Sequence, residues 1–285
     1  MLMSRCSKSI RWSFLVTILL SAIIGGALSL IVSKSIHVGS VDTPKPSPVS
    51  GVRTEERTYS VTFNPPQPQD APPDIRDAVM LGYNILMDTP KYAPQYVGNK
   101  LTCKNCHFEA GRTMKGLSLV GVGAAYPKYK ERHHYSVNLV MRTNDCFERS
   151  MNGRPLPSDC KEMNAIITYY QWISKGLPIY ADIPWLGLKP IKTSHGPNPI
   201  KGKEVYGQKC MACHGSNGQG TPIAPPLWGK NSFNDGAGMA ELPKLAAFAH
   251  DFMPQGNPNL TTEEALDVSA FITGQPRPHF LPKRR

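Results

Sequence analysis

Cys103-Lys104-Asn105-Cys106-His107 and, further along, Cys210-Met211-Ala212-Cys213-His214 are two copies of one pattern, C-x-x-C-H. The spacing lets two thiols reach the two vinyl groups of one haem while the next imidazole reaches the iron. At the chain's own cysteine and histidine frequencies about 0.005 copies arise by chance, so two copies carry real information. Zinc sites and redox dithiols also use C-x-x-C, but neither calls for a histidine directly after both copies. The chain is therefore read as holding two covalently bound haem c groups through Cys103, Cys106, Cys210 and Cys213. His107 and His214 are the expected axial ligands.

Helical patterning flanks each motif. Ile75, Val79, Leu81, Ile85 and Leu86 give an apolar face to a helix beginning near Asp74. A second helix is predicted from about Lys161 to Lys175, with Ile166, Ile167, Tyr169, Tyr170, Trp172 and Ile173 recurring and Gly176 as its stop. Around the second motif, a short helix from about Ile200 to Cys210 turns Val205 and Tyr206 inward. The last helix runs from about Thr262 to Thr273, opened by the capping box of Thr261 and Glu264, with Leu266, Val268, Phe271 and Ile272 on its buried side. No alternating strand pattern of any length appears. The expected fold is all-α, two cytochrome c-type domains in tandem over residues 74–190 and 191–285.

Ahead of them, Arg5, Lys8 and Arg11 precede an uncharged stretch from Trp12 to Ser33. That length suits the roughly 20 residues of a membrane-spanning helix, and the charge before it sets the N-terminus inside. Residues 1–34 are thus expected to be a membrane anchor, and residues 35–73, rich in proline, a semi-rigid tether. A cleaved leader ending near Ala27-Leu28-Ser29 is the alternative, and it exports the same folded part. The formal net charge is +11. No basic strip interleaved with aromatics accompanies it, so nucleic acid is excluded, leaving a membrane surface and small anions as partners.

Each iron then needs a sixth ligand or an open position. In the second domain Met253, in Phe252-Met253-Pro254 just ahead of the capped closing helix, is the candidate, with Met239 as its rival. A His/Met pair raises the reduction potential and suits electron transfer. In the first domain Met151 holds the analogous place and Cys146 competes with it. Cys146 and Cys160 are both left over after haem attachment, so a disulfide between them is the other reading.

Val97-Gly98-Asn99-Lys100-Leu101-Thr102 leading into the first motif, Ala110-Gly111-Arg112, Tyr126-Pro127 with Arg132, and above all Cys146-Phe147-Glu148-Arg149-Ser150-Met151-Asn152-Gly153 resemble the first domain of periplasmic dihaem thiosulfate dehydrogenases. Pro225-Pro226-Leu227-Trp228-Gly229, Ser232-Phe233-Asn234, Gly236-Ala237-Gly238-Met239 and Met253-Pro254 resemble their second domain. The resemblance implies a catalytic haem ligated by His107 and Cys146 and an electron-exit haem ligated by His214 and Met253. It argues against the disulfide. The implied reaction joins two thiosulfates into tetrathionate and releases two electrons, one for each haem. The partners it implies are this small sulfur anion and a periplasmic acceptor such as a small cytochrome c or a high-potential iron–sulfur protein. A dianionic substrate calls for cations: Arg132 and Arg142 are the candidates, with Arg149 and Ser150 as further donors. As a hypothesis of its own, Cys146, nucleophilic only as thiolate, is expected to leave the iron and carry one thiosulfate sulfur as a covalent adduct for the second to attack. A non-catalytic dihaem shuttle and a tetrathionate reductase are the competing functions.

Overall fold

In each domain the first and last helices cross with their backbones in contact, and a glycine on the first helix makes the approach possible. The computed structural model describes residues 60–282. In the first domain α1 is Pro73–Met87, α2 is Leu139–Asp145 and α3 is Lys161–Ile173. In the second, α4 is Pro199–Lys209, α5 is Leu242–Phe252 and α6 is Thr262–Thr273. A Cβ at Gly82 of α1 would stand 2.2 Å from the Ala165 carbonyl oxygen of α3, and one at Gly202 of α4 would stand 1.9 Å from the Asp267 carbonyl oxygen of α6. Short helical turns carry the two C-x-x-C-H segments between these crossings.

The predicted helices lie where the apolar patterns put them, and the Thr261/Glu264 capping box is formed, with Glu264 N–H donating to Thr261 Oγ1 and Thr261 N–H to the Glu264 carboxylate. One feature differs from the all-α expectation. Lys128–Lys130 (β1) and Tyr135–Val137 (β2) pair antiparallel, Lys128 opposite Val137 and Lys130 opposite Tyr135. Strands of three residues, mostly exposed, are too short to leave an alternating apolar pattern. The end of the proline-rich stretch lies against the first domain: Pro68 and Ala71 are buried, Trp172 Nε1 donates to the Gln67 carbonyl (2.9 Å), and Phe63 stacks edge-on to Trp185. The expected anchor over residues 1–34 lies outside the described residues. Among the described residues no helix is long and apolar enough to cross a membrane.

The first core gathers Val79, Ile85, Leu86, Phe147, Met163, Ile166, Tyr169 and Ile173; Phe233 and Ala237 of the second domain join it. The second core holds Tyr206, Leu245, Leu260, Ala265, Val268 and Ile272. Met239 touches both. Phe108 bridges further, with its ring centroid 6.1 Å from that of Phe248 and 6.5 Å from that of Phe252. Both domains belong to one contact unit.

Two outcomes follow from these contacts. In an open helix, replacing glycine by alanine gains about 1 kcal/mol. At Gly82 and Gly202 the methyl group would overlap backbone, and overpacking costs about 1–3 kcal/mol. Gly82→Ala and Gly202→Ala are therefore each expected to lower the thermal unfolding midpoint; an unchanged or raised midpoint would mean that the helices part without cost. The second concerns Glu264, whose carboxyl is held below its ordinary range first by the hydrogen bond from Lys209 and then by the Thr261 N–H. Its depressed pKa makes the contribution present at neutral pH and lost as pH falls through that depressed range. Being partly exposed, the pair is worth only about 0.5 kcal/mol. Glu264→Gln is thus expected to be less stable than the parent in denaturant titrations at pH 7, with the difference closing in acid.

Candidate functional site

Each attachment turn is held from below by the helix before it and from the side by a carbonyl. Thr89, fully buried just past the end of α1, donates from Oγ1 to the Ile85 carbonyl (2.9 Å) and accepts from the Cys103 N–H (3.1 Å). His107 Nδ1 lies 2.7 Å from the Leu117 carbonyl oxygen, and His214 Nδ1 lies 2.8 Å from that of Pro225. A carbonyl only accepts, so Nδ1 carries the proton in both rings and Nε2 keeps its lone pair free for a metal. Burial pushes the His107 imidazole down to about 4, against the raising effect of the Leu117 bond. It also lowers that of His214. Both are neutral at physiological pH, the form a metal binds.

The donor set fits haem and not a bare ion. Burial pushes the Cys103 and Cys106 thiols up to about 12 and that of Cys210 to about 11. Zinc would need about four converging ligands, and among the described residues no group of three or more His, Cys, Asp or Glu side chains converges on one point. Beside the first motif Arg112 keeps a buried Nε with no protein partner, an anchor suited to an anionic group such as a haem propionate. The residues that would hold the two haems are Cys103, Cys106 and His107 in one domain and Cys210, Cys213 and His214 in the other.

Cys146 begins a π turn, Cys146–Ser150, that continues directly from α2. Such turns are rare and frequently lie at functional positions. Arg142, one α-helical turn earlier, donates from Nη1 to Cys146 Sγ at 2.9 Å. Proximity to Cys146 is the largest influence raising the pKa of Arg142, against the opposing effect of burial. Cys146 also adds to the effect of burial in raising the Cys103 and Cys106 thiols, and Arg142 adds to it in lowering His107. Cys146, Arg142 and the first attachment motif therefore share one neighbourhood. No disulfide joins Cys146 to Cys160, which corrects that reading: both are free thiols. Cys160 instead caps α3, its sulfur accepting from the Met163 N–H at 3.4 Å. Met151 is 4% exposed, packed into the first core, with its N–H on the Cys146 carbonyl.

The remaining predicted residues divide. Arg132 sits in the turn of the β1–β2 hairpin and pairs with Glu241 of the second domain (2.5 Å), which also holds Lys244. Arg149 lies 3.6 Å from Asp145 and stacks over Phe280 at 4.1 Å. Ser150 contributes its carbonyl, which accepts from Asn99 Nδ2 (2.8 Å). Met253 ends α5 half-buried against the second core, while Met239 lies between the two cores. Residues missed from sequence complete the surroundings. Asp145 Oδ2 is 2.7 Å from His133 Nε2. Lys130 lies over the Tyr126 ring, its pKa lowered first by burial and then by Arg142, Lys128 and Lys244. No local motif marks Lys130 or His133; only the hairpin brings them to Arg142 and Asp145.

Comparisons with known proteins find two cytochrome c domains in the same order. A family profile described as SoxA/TsdA, cytochrome c domain, matches residues 92–179, and a cytochrome c profile matches residues 200–275. The thiosulfate dehydrogenase of Thiomonas intermedia is 36% identical over 261 residues, covering 88% of this chain and 82% of that protein. That of Allochromatium vinosum is 38% identical over 217 residues, 72% and 80% of the two chains. The structure of the thiosulfate dehydrogenase TsdBA from Marichromatium purpuratum, in its as-isolated form, superposes with a TM-score of 0.73 at 29% identity. That match covers 76% of this chain, which spans half the length of the other.

One measurement checks the attachment directly. Produced with the machinery that attaches haem c, the chain is expected to carry two haems per polypeptide by mass and haem absorbance. The double substitution Cys210→Ser with Cys213→Ser should leave one; retention of two would refute the second attachment site.

Proposed function

Because this chain belongs to the thiosulfate dehydrogenase family, an oxidoreductase acting on thiosulfate with two covalently bound c-type haems, we propose that it joins two thiosulfates into tetrathionate at the first domain. It then passes two electrons through the second domain to a periplasmic acceptor. The acceptor class is a small cytochrome c or a high-potential iron–sulfur protein. Residues 1–34 are proposed as the anchor that keeps the enzyme at the membrane, on the strength of the basic leader and the uncharged stretch from Trp12 to Ser33.

The observation that carries this reading is the contact between Arg142 and Cys146, 2.9 Å from nitrogen to sulfur beside the first attachment motif. The guanidinium gives the sulfur a charged hydrogen-bond donor beside the first attachment motif, as a sulfur that is to ligate a metal requires. In the proposed assignment His107 and Cys146 ligate the first iron, and His214 and Met253 the second. When bound, the two haems accept one electron each from the two-electron oxidation.

The chain's own side chains handle the substrate charge. Two dianions must meet, and at an effective dielectric of about 20 two like unit charges 4 Å apart repel by about 4 kcal/mol. Arg142, Lys130 and Lys128 of the first domain and Lys244 of the second lie close enough for their charges to act on one another. They supply the field that offsets this repulsion. Arg132, paired with Glu241, borders this cluster and is proposed to exchange that partner for substrate. The Ser150 hydroxyl is proposed as a neutral donor. Phe108 follows His107 directly, Phe252 precedes Met253, and their rings are in contact, so the two ligand segments meet across the domain boundary.

The test uses the exported part from about His37 onward, matured with haem, mixed with thiosulfate while ferricyanide reduction is followed. Rapid reduction is expected, and Cys146→Gly is expected to abolish it with both haems retained. Full turnover in Cys146→Gly would remove Cys146 from the mechanism. Failure of thiosulfate to reduce a dithionite-reducible dihaem protein would reject the oxidase. Reoxidation of the reduced protein by tetrathionate would then identify a reductase, and its absence an electron carrier.

A further inference from the structure

The π turn that starts at Cys146 ends a helix, and each of its carbonyls has to find a donor outside the α-helical ladder. The first two are satisfied by the residues that follow the turn. The Cys146 carbonyl accepts from the Met151 N–H (2.9 Å) and that of Phe147 from the Gly153 N–H (2.8 Å). The next three reach outward. The Glu148 carbonyl accepts from Asn234 Nδ2 at 2.8 Å. That of Arg149 accepts from the Asn234 N–H at 3.2 Å, with the Asn152 N–H at 3.3 Å. That of Ser150 accepts from Asn99 Nδ2 at 2.8 Å.

Both asparagines use their amide nitrogens twice. Asn234 Nδ2 also donates to Asn152 Oδ1 (3.1 Å), and Asn99 Nδ2 also donates to the Ser232 carbonyl (3.0 Å). Asn234 is 1% exposed and Ser232 is fully buried. Asn99 and the turn belong to the first domain, Ser232 and Asn234 to the second. The second domain thus caps the helix end on which Cys146 sits.

We propose that Asn234, together with Asn99, is a positioning residue for Cys146: docking of the electron-exit domain sets the turn that presents the Cys146 sulfur to the first haem. This rests on the reading of Cys146 as an iron ligand. The amide is required because it offers two N–H donors from one atom. Aspartate has the same shape but only accepts, and it would set a charged oxygen against the Glu148 or Ser150 carbonyl. The released turn is then free to rotate the sulfur away, and small displacements at a reacting centre cost large factors in rate. A bond that merely fastened the domains together would change stability and leave the sulfur where it is.

The test compares the matured dihaem protein with its Asn234→Asp and Asn99→Asp variants. Electron paramagnetic resonance and the near-infrared charge-transfer band report thiolate ligation at the ferric first haem; redox titration reports its potential; the second haem serves as internal reference. The parent is expected to show the thiolate signature. Both variants should lose most of it, with the first haem's potential shifted upward, kcat lower by on the order of tenfold and the second haem unchanged. Variants with the parent's thiolate signature and potential would overturn the proposal. A parent without any thiolate signature would instead overturn the assignment of Cys146. Should the variants yield no dihaem protein, hydrogen exchange on the parent decides. Peptides spanning 146–153 and 232–238 should lose protection together, and earlier opening of 146–153 alone would refute the cap.

Discussion

Backbone contact between the first and last helix of each domain is the constraint from which the rest of the structure follows. At Gly82 and again at Gly202 the facing chain comes closer than any side chain allows. Helix axes normally stay about 8–10 Å apart because side chains keep them so; removing the side chain at the crossing lets the helices close. In the first domain this closeness carries the end of α1 to the attachment turn, where buried Thr89 ties the Ile85 carbonyl to the Cys103 N–H. In the second it carries Tyr206 over the other turn, its hydroxyl on the carbonyl of Gly215, the residue after His214. Two unrelated contacts thus do the same work: each fixes a C-x-x-C-H segment against a crossing set elsewhere.

Charge around Cys146 is arranged by the carboxylates as much as by the cations. Asp145 gathers His133 and Arg149, and Glu241 gathers Arg132 and Lys244. Arg142 alone turns to the sulfur. A cluster of unpartnered cations would repel itself and destabilise the turn; one in which most are held by carboxylates keeps its geometry and still presents a net positive face. Because Glu241 precedes α5 and Lys244 lies on it while Arg132 and Lys130 come from the hairpin, that face exists only when the domains are assembled.

The legible parts of this protein are those whose chemistry is local in sequence. Covalent haem attachment needs its thiols and imidazole within five residues, so both motifs can be read directly. The closing helices are amphipathic and capped by adjacent residues, so α3 and α6 could be placed from pattern alone. What stayed hidden depends on distant partners or on brevity. Gly82 and Gly202 read as weak points inside helices until the facing chain is known. The hairpin and α2 are too short to show a period. Spacing could not choose between a Cys146–Cys160 disulfide and two separate thiols, because the deciding fact is Cys160's place as a helix cap. Arg132 and Glu241 stand 109 residues apart, Asn234 and Glu148 86. No local pattern records such pairs.

The seam between the domains combines two kinds of contact that answer different needs. Phe108 against Phe248 and Phe252, and Phe233 and Ala237 against the first core, bury apolar surface. Such contact is favourable and roughly proportional to area, but non-directional, so it tolerates sliding. The asparagines tolerate none, since a shift of an ångström would leave buried carbonyls unpaired, at a cost larger than the net worth of the bonds themselves. An enzyme that splits a two-electron oxidation between two one-electron groups needs their separation and orientation to be the same at every turnover. Apolar packing supplies the adhesion, and the amide pairs supply the register. Placing that register on the turn that starts at Cys146 ties the geometry of the chemistry to the geometry of the exit route, so that on the proposed reading neither can be set without the other.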